Sequence, residues 1–333
     1  MEKPITFVNN KNEKLFGMFY IPDRQTAGEK TGILISVDSI KPRIGTCRLH
    51  IILARYLMNN GYYVMCFDPS GIGDSEGAFE YKLIYEHYRD IQQGRYLNDS
   101  KDALNYFQSE FNLSQIIVFG ICGGAISMLS LAAEDSRVNG IVLLAIPTLL
   151  DSPEIHATKD EQVSQISSEV QSKMIILDYT RKLFGLETWK KILSFKINWI
   201  LEIRTVSRAV LVAIKKVSQK MVKPFFPKEM QNLETVPVSG NPSYNMGFQS
   251  AFIRSVKQKK KIHFIFAEFD HITWNFKSEF QDLALVPGNP FEPFYEINIL
   301  KGANHIFSSS ETQTKLKATI TAWLSKNFPV MYR

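Results

Sequence analysis

A chain of 333 residues with 45% hydrophobic and 22% charged side chains can bury a sizeable core, which sets aside the disordered and fibrous classes. The formal charge of +6 is modest and unevenly placed: residues 181–230 hold twelve Lys or Arg against three Glu, so that segment carries +9 and the rest −3. Cys47, Cys66 and Cys122 make a poor disulfide framework, no apolar run nears the about 20 residues of a membrane span, and the first residues lack a basic-then-apolar signal pattern, all pointing to a reducing, cytoplasmic setting.

In chain order, "ITFVNN" and "LFGMFYIP" predict two strands, with a hairpin as their natural arrangement. "GILISV" reads as a continuous, fully buried strand, "CRLHIILARYLMNNG" as a helix stopping at Asn-Asn-Gly, and "YYVMCFD" as another strand before the loop "PSGIGDSEG". Residues 85–111 have helical character, with Gly94 a candidate break. Then come the strand "QIIVFG", the helix "GGAISMLSLAAED" and the strand "VNGIVLLAIP". Strands alternating with helices predict a mostly parallel sheet covered on both faces. From residue 149 to 247 strand character nearly vanishes, and "TWKKILSFKINWILEIRTVSRAVLVAIKKVSQKM" is helical and basic. Alternation resumes with "KIHFIFAEFD", a helical stretch near "NFKSEFQDL", the strand "FYEINIL" and a last helix from Glu311 to Asn327. The expected organisation is a core of residues 1–148 and 248–333 interrupted by a helical, basic cap, residues 149–247, between strands six and seven of a sheet of about eight.

The chemistry centres on Gly120-Ile121-Cys122-Gly123-Gly124, which has the form G-x-nucleophile-x-G at a strand-to-helix turn. Such an elbow lifts its central side chain above the sheet, and small neighbours admit substrate. At a helix start a thiolate gains from the helix dipole, and the Gly123 N–H points where an oxyanion forms. The alternative is a buried structural cysteine beside a glycine-rich turn. His305 in "GANHIF" follows the strand "FYEINIL", and Asp270 ends "FAEFD". The order Cys122, Asp270, His305 is the nucleophile–acid–histidine order of α/β-hydrolases. His305 then acts as base and Asp270 orients it, with Glu268 as second candidate for the acid. His271 is set aside, as are His50, His87, His156 and His263. "SGIGDSEG" lacks the Gly-Lys-Ser/Thr ending of a phosphate loop and reads as turn structure.

These residues resemble the α/β-hydrolases associated with the exosortase A system, relatives of the serine aminopeptidase-like and acylglycerol lipase-like hydrolases. The resemblance runs from Pro4 to Phe328 and rests on "RIGTCR", "FDPSGIGDSEG", "GICGGA" and "ETWKKILSFKINW". Dienelactone hydrolases and polyhydroxyalkanoate synthases also resemble this elbow, with cysteine in a G-x-C-x-G-G frame. The resemblance implies the α/β-hydrolase fold and hydrolysis of an ester or thioester through an acyl-cysteine, with neither metal nor organic cofactor. Acyl transfer from the same intermediate and a non-catalytic binding role are the alternatives. The chain departs from the family after its third strand: where relatives have His-Gly or Gly-Gly, it has Val37, Asp38 and Ser39, so by position the Ser39 (or Ile40) N–H completes the oxyanion hole.

Arg43 and Arg48 are candidates for binding a substrate carboxylate or phosphate; the alternative is that they tie the loop to acids such as Asp68 or Asp74. The basic insertion is a solvated lid, a cover over an acyl pocket, or a face for anionic lipid, which would make the protein peripheral at the inner membrane face. The expected partner is a small-molecule or acyl-carrier substrate and not nucleic acid, since no binding module for it is evident. Oligomeric state is not encoded legibly.

Overall fold

The computed structural model describes residues 1–23, 30–36, 40–79, 81–151, 243–281 and 292–330. The chain divides into two compact units, Met1–Asp151 with Val238–Arg333, and Ser152–Pro237. The basic helical segment expected in the insertion lies outside the described residues.

The first unit is built on one eight-stranded sheet. Its strands are β1 (Glu2–Val8), β2 (Lys14–Tyr20), β3 (Thr31–Ser36), β4 (Tyr63–Phe67), β5 (Gln115–Ile121), β6 (Val138–Leu144), β7 (Lys261–Phe269) and β8 (Tyr295–Asn304). They lie in the order β1-β2-β4-β3-β5-β6-β7-β8. β1 and β2 form the expected antiparallel hairpin, β2 pairs antiparallel with β4, and every later pairing is parallel. β1 alternates, burying Ile5 and Phe7, whereas β3 and β4 are buried at every position. The first pattern belongs to a half-covered edge and the second to strands covered on both faces.

Seven described helices accompany the sheet: α1 (Leu49–Asn59), α2 (Ile84–Gln92), α3 (Leu97–Phe111), α4 (Gly123–Glu134), α5 (Met246–Lys257), α6 (His271–Phe276) and α7 (Ser310–Asn327). The helical region after residue 83 is broken, with Gly94 at φ 100° between α2 and α3. On one face Leu49, Leu53 and Leu57 of α1 and Leu316, Ile320 and Trp323 of α7 pack with Ile33, Val64, Ile117 and Val142 of the strands. α3, α4 and α5 pack together with β5 and β6, burying Phe107, Met128, Leu129, Phe248 and Phe252. Each such side chain withdrawn from water contributes about 1.5–3 kcal/mol.

α4 is the central helix. Its sequence, "GGAISMLSLAAE", is apolar or small all round, and ten of its residues are buried, the pattern of a helix enclosed by protein. Beyond β6, Leu149 forms an antiparallel bridge with Tyr244, Leu150 N donates to Ser243 O (2.8 Å), and Asn245 N donates to Thr148 O (2.9 Å). These bonds join the chain just before residue 152 to the chain just after residue 242. No described helix is long and apolar enough to cross a membrane.

Candidate active site

Cys122 stands between β5 and α4 with φ 50° and ψ −122°, a backbone conformation that non-glycine residues rarely adopt. Neighbouring bonds hold it there: Cys122 N donates to Leu144 O of β6 (2.9 Å), and Ala125 N donates to Cys122 O (3.0 Å). Gly120 explains the first glycine of the motif. A Cβ on it would sit 2.4 Å from Gly124 O and 2.5 Å from Ala125 Cα, so only glycine lets the chain turn back over itself. Gly123 opens α4, and N–H groups of a first helical turn have no acceptor within the helix. At the far end of α4, the buried Lys260 donates from Nζ to Ala132 O and to Asp135 O (2.6 Å). Burial pushes this ammonium down to about 8, with Asp135 opposing. Lys260 anchors the C-terminal end of α4, a role its place in a run of lysines conceals.

Asp270 and His305, the other two candidates, follow the ends of β7 and β8. Asp270 is the cap of α6: its Oδ1 accepts from Ile272 N (3.1 Å), and its side chain is fully buried. Its Oδ2 lies 2.8 Å from His305 Nδ1. His305, just past β8, is partly exposed, and Asp270 and Cys122 both favour its charged form. Burial lowers its pKa, but Asp270 and Cys122 outweigh burial and raise it to about 11. The structure thus joins His305 to Asp270 by a hydrogen bond and places Cys122 where it acts on the same imidazole. Glu268 is placed elsewhere, its Oε2 accepting from Gly302 N (2.8 Å).

The remaining candidates separate. Ser39, with Val37 and Asp38, lies outside the described residues. Arg43 takes the alternative reading: its guanidinium pairs with Asp68 and with Asp74 (2.8 Å to the latter), and its own N–H also bonds Asp68. Of the two readings the sequence offered, this is the one in which the arginine ties its loop to neighbouring acids. Arg48 is exposed and follows Cys47 in left-handed backbone, at φ 59° after φ 53°. The loop "SGIGDSEG" is turn structure packed on this pair: a Cβ on Gly73 would lie 2.3 Å from Asp68 Oδ2, and Ser75 Oγ donates to Asp68 O (2.6 Å).

Of the other histidines, His50 is buried under Gly45, and His87 is enclosed by Phe79, Tyr81 and Tyr96. His263 bonds Asn298 (2.7 Å) and stacks on Trp323; His156 lies outside the described residues. His271, dismissed from sequence, is beside the triad, its Nδ1 3.4 Å from Asp270 Oδ1. The signal was available: Asp270 followed by a short helix places the next residue in its first turn.

A sheet of this order with a strained residue at the β5–α4 turn, an acid after β7 and a histidine after β8 defines the α/β-hydrolase fold. Residues 45–226 match the family model described as serine aminopeptidase, S33, and the chain belongs to that family. Over 102 residues it is 30% identical to the polyketide transferase GrgF of a Penicillium species; the match covers 30% of this chain and 31% of that protein, so the chain spans about a third of its curated relative. The crystal structure of the α/β hydrolase GrgF from Penicillium sp. sh18 is similar with TM-score 0.52 and 16% identity, covering 98% of this chain and 99% of that one. DcsB in complex with its substrate analogue gives 0.54 and 14% over 98% and 99%. A Pyrococcus furiosus esterase gives 0.52 and 13% over 98% and 91%. At these identities the likeness is one of fold.

Proposed function

We propose that the protein cleaves an ester or thioester through an acyl-cysteine formed on Cys122. The observation that carries this reading is the line Cys122–His305–Asp270, with Cys122 on a strained elbow and a charged imidazole favoured beside it. The Cys122 sulfur attacks the acyl carbonyl carbon, and the C=O electron pair moves to oxygen, where the Gly123 N–H and, by our assignment, the Ser39 N–H receive it. Collapse breaks the bond to the leaving group, which takes the proton from His305. The neutral His305 then draws a proton from water, whose oxygen attacks the thioester; the C–S bond breaks, and the acid and thiolate are released. Asp270 holds the imidazole in the required tautomer throughout.

A second reading is favoured by the polyketide transferase relative: an alcohol or amine in place of water makes the same acyl-cysteine a transferase intermediate. We further assign the chain to the exosortase-associated type, on "RIGTCR" and "ETWKKILSFKINW". Arg48 is proposed to meet an anionic group of a small-molecule or acyl-carrier substrate. Residues 181–230 are proposed as a basic cap that meets anionic lipid from the cytoplasmic side.

The test is intact-protein mass after mixing with thioesters of graded acyl length, beside Cys122→Ala. An acyl increment on the native protein alone supports the reading. Rapid decay without an acceptor marks a hydrolase, and decay only on adding an alcohol or amine marks a transferase. No increment at any length, with ordinary alkylation of Cys122, leaves the non-catalytic alternative.

A further inference from the structure

Asp270 and His305 meet because the two strands that carry them run out of step. β7 and β8 pair in regular register as far as Phe266↔Ile299 and Ala267↔Leu300, but the next pair is Phe269↔Asn304. One residue of β7, Glu268, therefore stands opposite three of β8: Lys301, Gly302 and Ala303. Without this bulge the register would set Phe269 against Gly302 and carry His305 two residues, about 7 Å, beyond Asp270. With it, His305 comes level with Asp270, and Nδ1 and Oδ2 lie 2.8 Å apart.

Three features hold the bulge. Glu268 Oε2 accepts a hydrogen bond from the N–H of Gly302, the middle residue, at 2.8 Å. Gly302 has φ 78°, in the left-handed region that favours glycine. Ala303 is buried in the core. Past the bulge, a turn closes around His305: Phe307 N donates to Asn304 O (3.0 Å), Ser308 N to Asn304 Oδ1 (3.1 Å), and Asn304 Nδ2 to Ser308 Oγ (2.9 Å). With that turn bonded to itself, the placing of His305 along the strand falls to the bulge, a device that re-aims side chains beside active sites. We propose that Glu268 is a positioning residue: by holding Gly302 it keeps the bulge that sets His305 against Asp270. Its carboxylate, the second candidate for the acid, thus acts on the imidazole through the backbone of β8. For what His305 then does to Cys122, the proposal rests on the acyl-cysteine reading.

The test has two readouts, and neither needs turnover. An imidazole N–H held by a carboxylate is shielded from exchange and gives a far-downfield proton NMR signal, assigned here by its loss in His305→Gln. Alkylation of Cys122 by iodoacetamide, in a Cys47→Ser background that removes the exposed thiol, reports how the imidazole acts on the sulfur. Both are measured in Glu268→Ala, which removes the acceptor, and in Glu268→Gln, which keeps an acceptor without the charge. The expected result for alanine is a lost signal and alkylation slowed about ten- to a hundredfold, the scale of a misplacement of about 1 Å. Glutamine should restore both. Gly302→Ala adds a methyl group that meets no atom within 4 Å and disturbs only the left-handed backbone; it should behave like Glu268→Ala and replaces it if that variant does not fold. A native signal and a native rate in the alanine variant overturn the proposal. So does a glutamine variant as impaired as alanine, because the charge and not the hydrogen bond would then be the agent. Failure to form an acyl-enzyme would sink the proposed function and leave the NMR comparison to decide the role of Glu268.

Discussion

Asp270 holds His305 with one oxygen and caps the helix behind it with the other, so the imidazole is oriented by a carboxylate that is itself pinned to backbone. Asp270→Asn keeps the shape and the cap but reverses the hydrogen-bond demand on Nδ1. We expect a fall of roughly 10³- to 10⁴-fold in turnover, the scale seen when a triad acid is neutralised, with the thermal midpoint nearly unchanged. Turnover within tenfold of native would remove Asp270 from the triad.

The raised pKa of His305 also predicts how stability varies with pH. A histidine whose folded value lies above its unfolded 6.5 contributes stability that is complete below 6.5 and is lost as pH rises toward about 11. Urea midpoints of the native protein should therefore fall more steeply between pH 7 and 10 than those of His305→Gln. Parallel profiles would contradict the raised value. Lys260 acts in the opposite sense over part of this range but is common to both proteins, so it cancels in the comparison.

Gly120→Ala places a methyl group on Gly124 O and Ala125 Cα, both backbone atoms that cannot rotate away. Relief requires the elbow to open. We expect a loss of about 1–3 kcal/mol in unfolding free energy and slower alkylation of Cys122. Native alkylation kinetics in this variant would show that the elbow does not set the reactivity of the thiol.

Arg43→Met leaves the fully buried Asp68 carboxylate without its cation. Breaking such a pair costs roughly 3–5 kcal/mol, and the double variant Arg43→Met/Asp68→Asn should recover part of it. Burial raises the Asp68 pKa against the pull of Arg43, so the single variant should be least impaired in acid, where Asp68 can take up a proton. Chemical denaturation at pH 5 and pH 8 checks both statements.

Much of this was legible before any coordinates. Buried strands announce themselves by unbroken apolar runs, and Cys122, Asp270 and His305 follow strands whose ends are easy to see. What escaped depends on side chains meeting across long sequence separations. For Arg43 the sequence offered two readings, and only the fold, which brings it to Asp68 across 25 residues, decides between them. Lys260 sits in "KQKKK", where four lysines look alike and only packing against the end of α4 distinguishes one. His271 was hidden by its neighbour: the capping role of Asp270, which turns the next residue back toward the triad, depends on the start of a helix only six residues long.

The bonds that join Thr148–Leu150 to Ser243–Asn245 give the core a closed doorway. Backbone groups on both sides are satisfied by each other, whatever is strung between them. Doubling the length of a connecting segment adds only about 0.6 kcal/mol to the entropy of closing it. The stretch from 152 to 242 is in this sense a cassette. An engineer can lengthen, recharge or exchange it while the bonds at its two ends stay as they are.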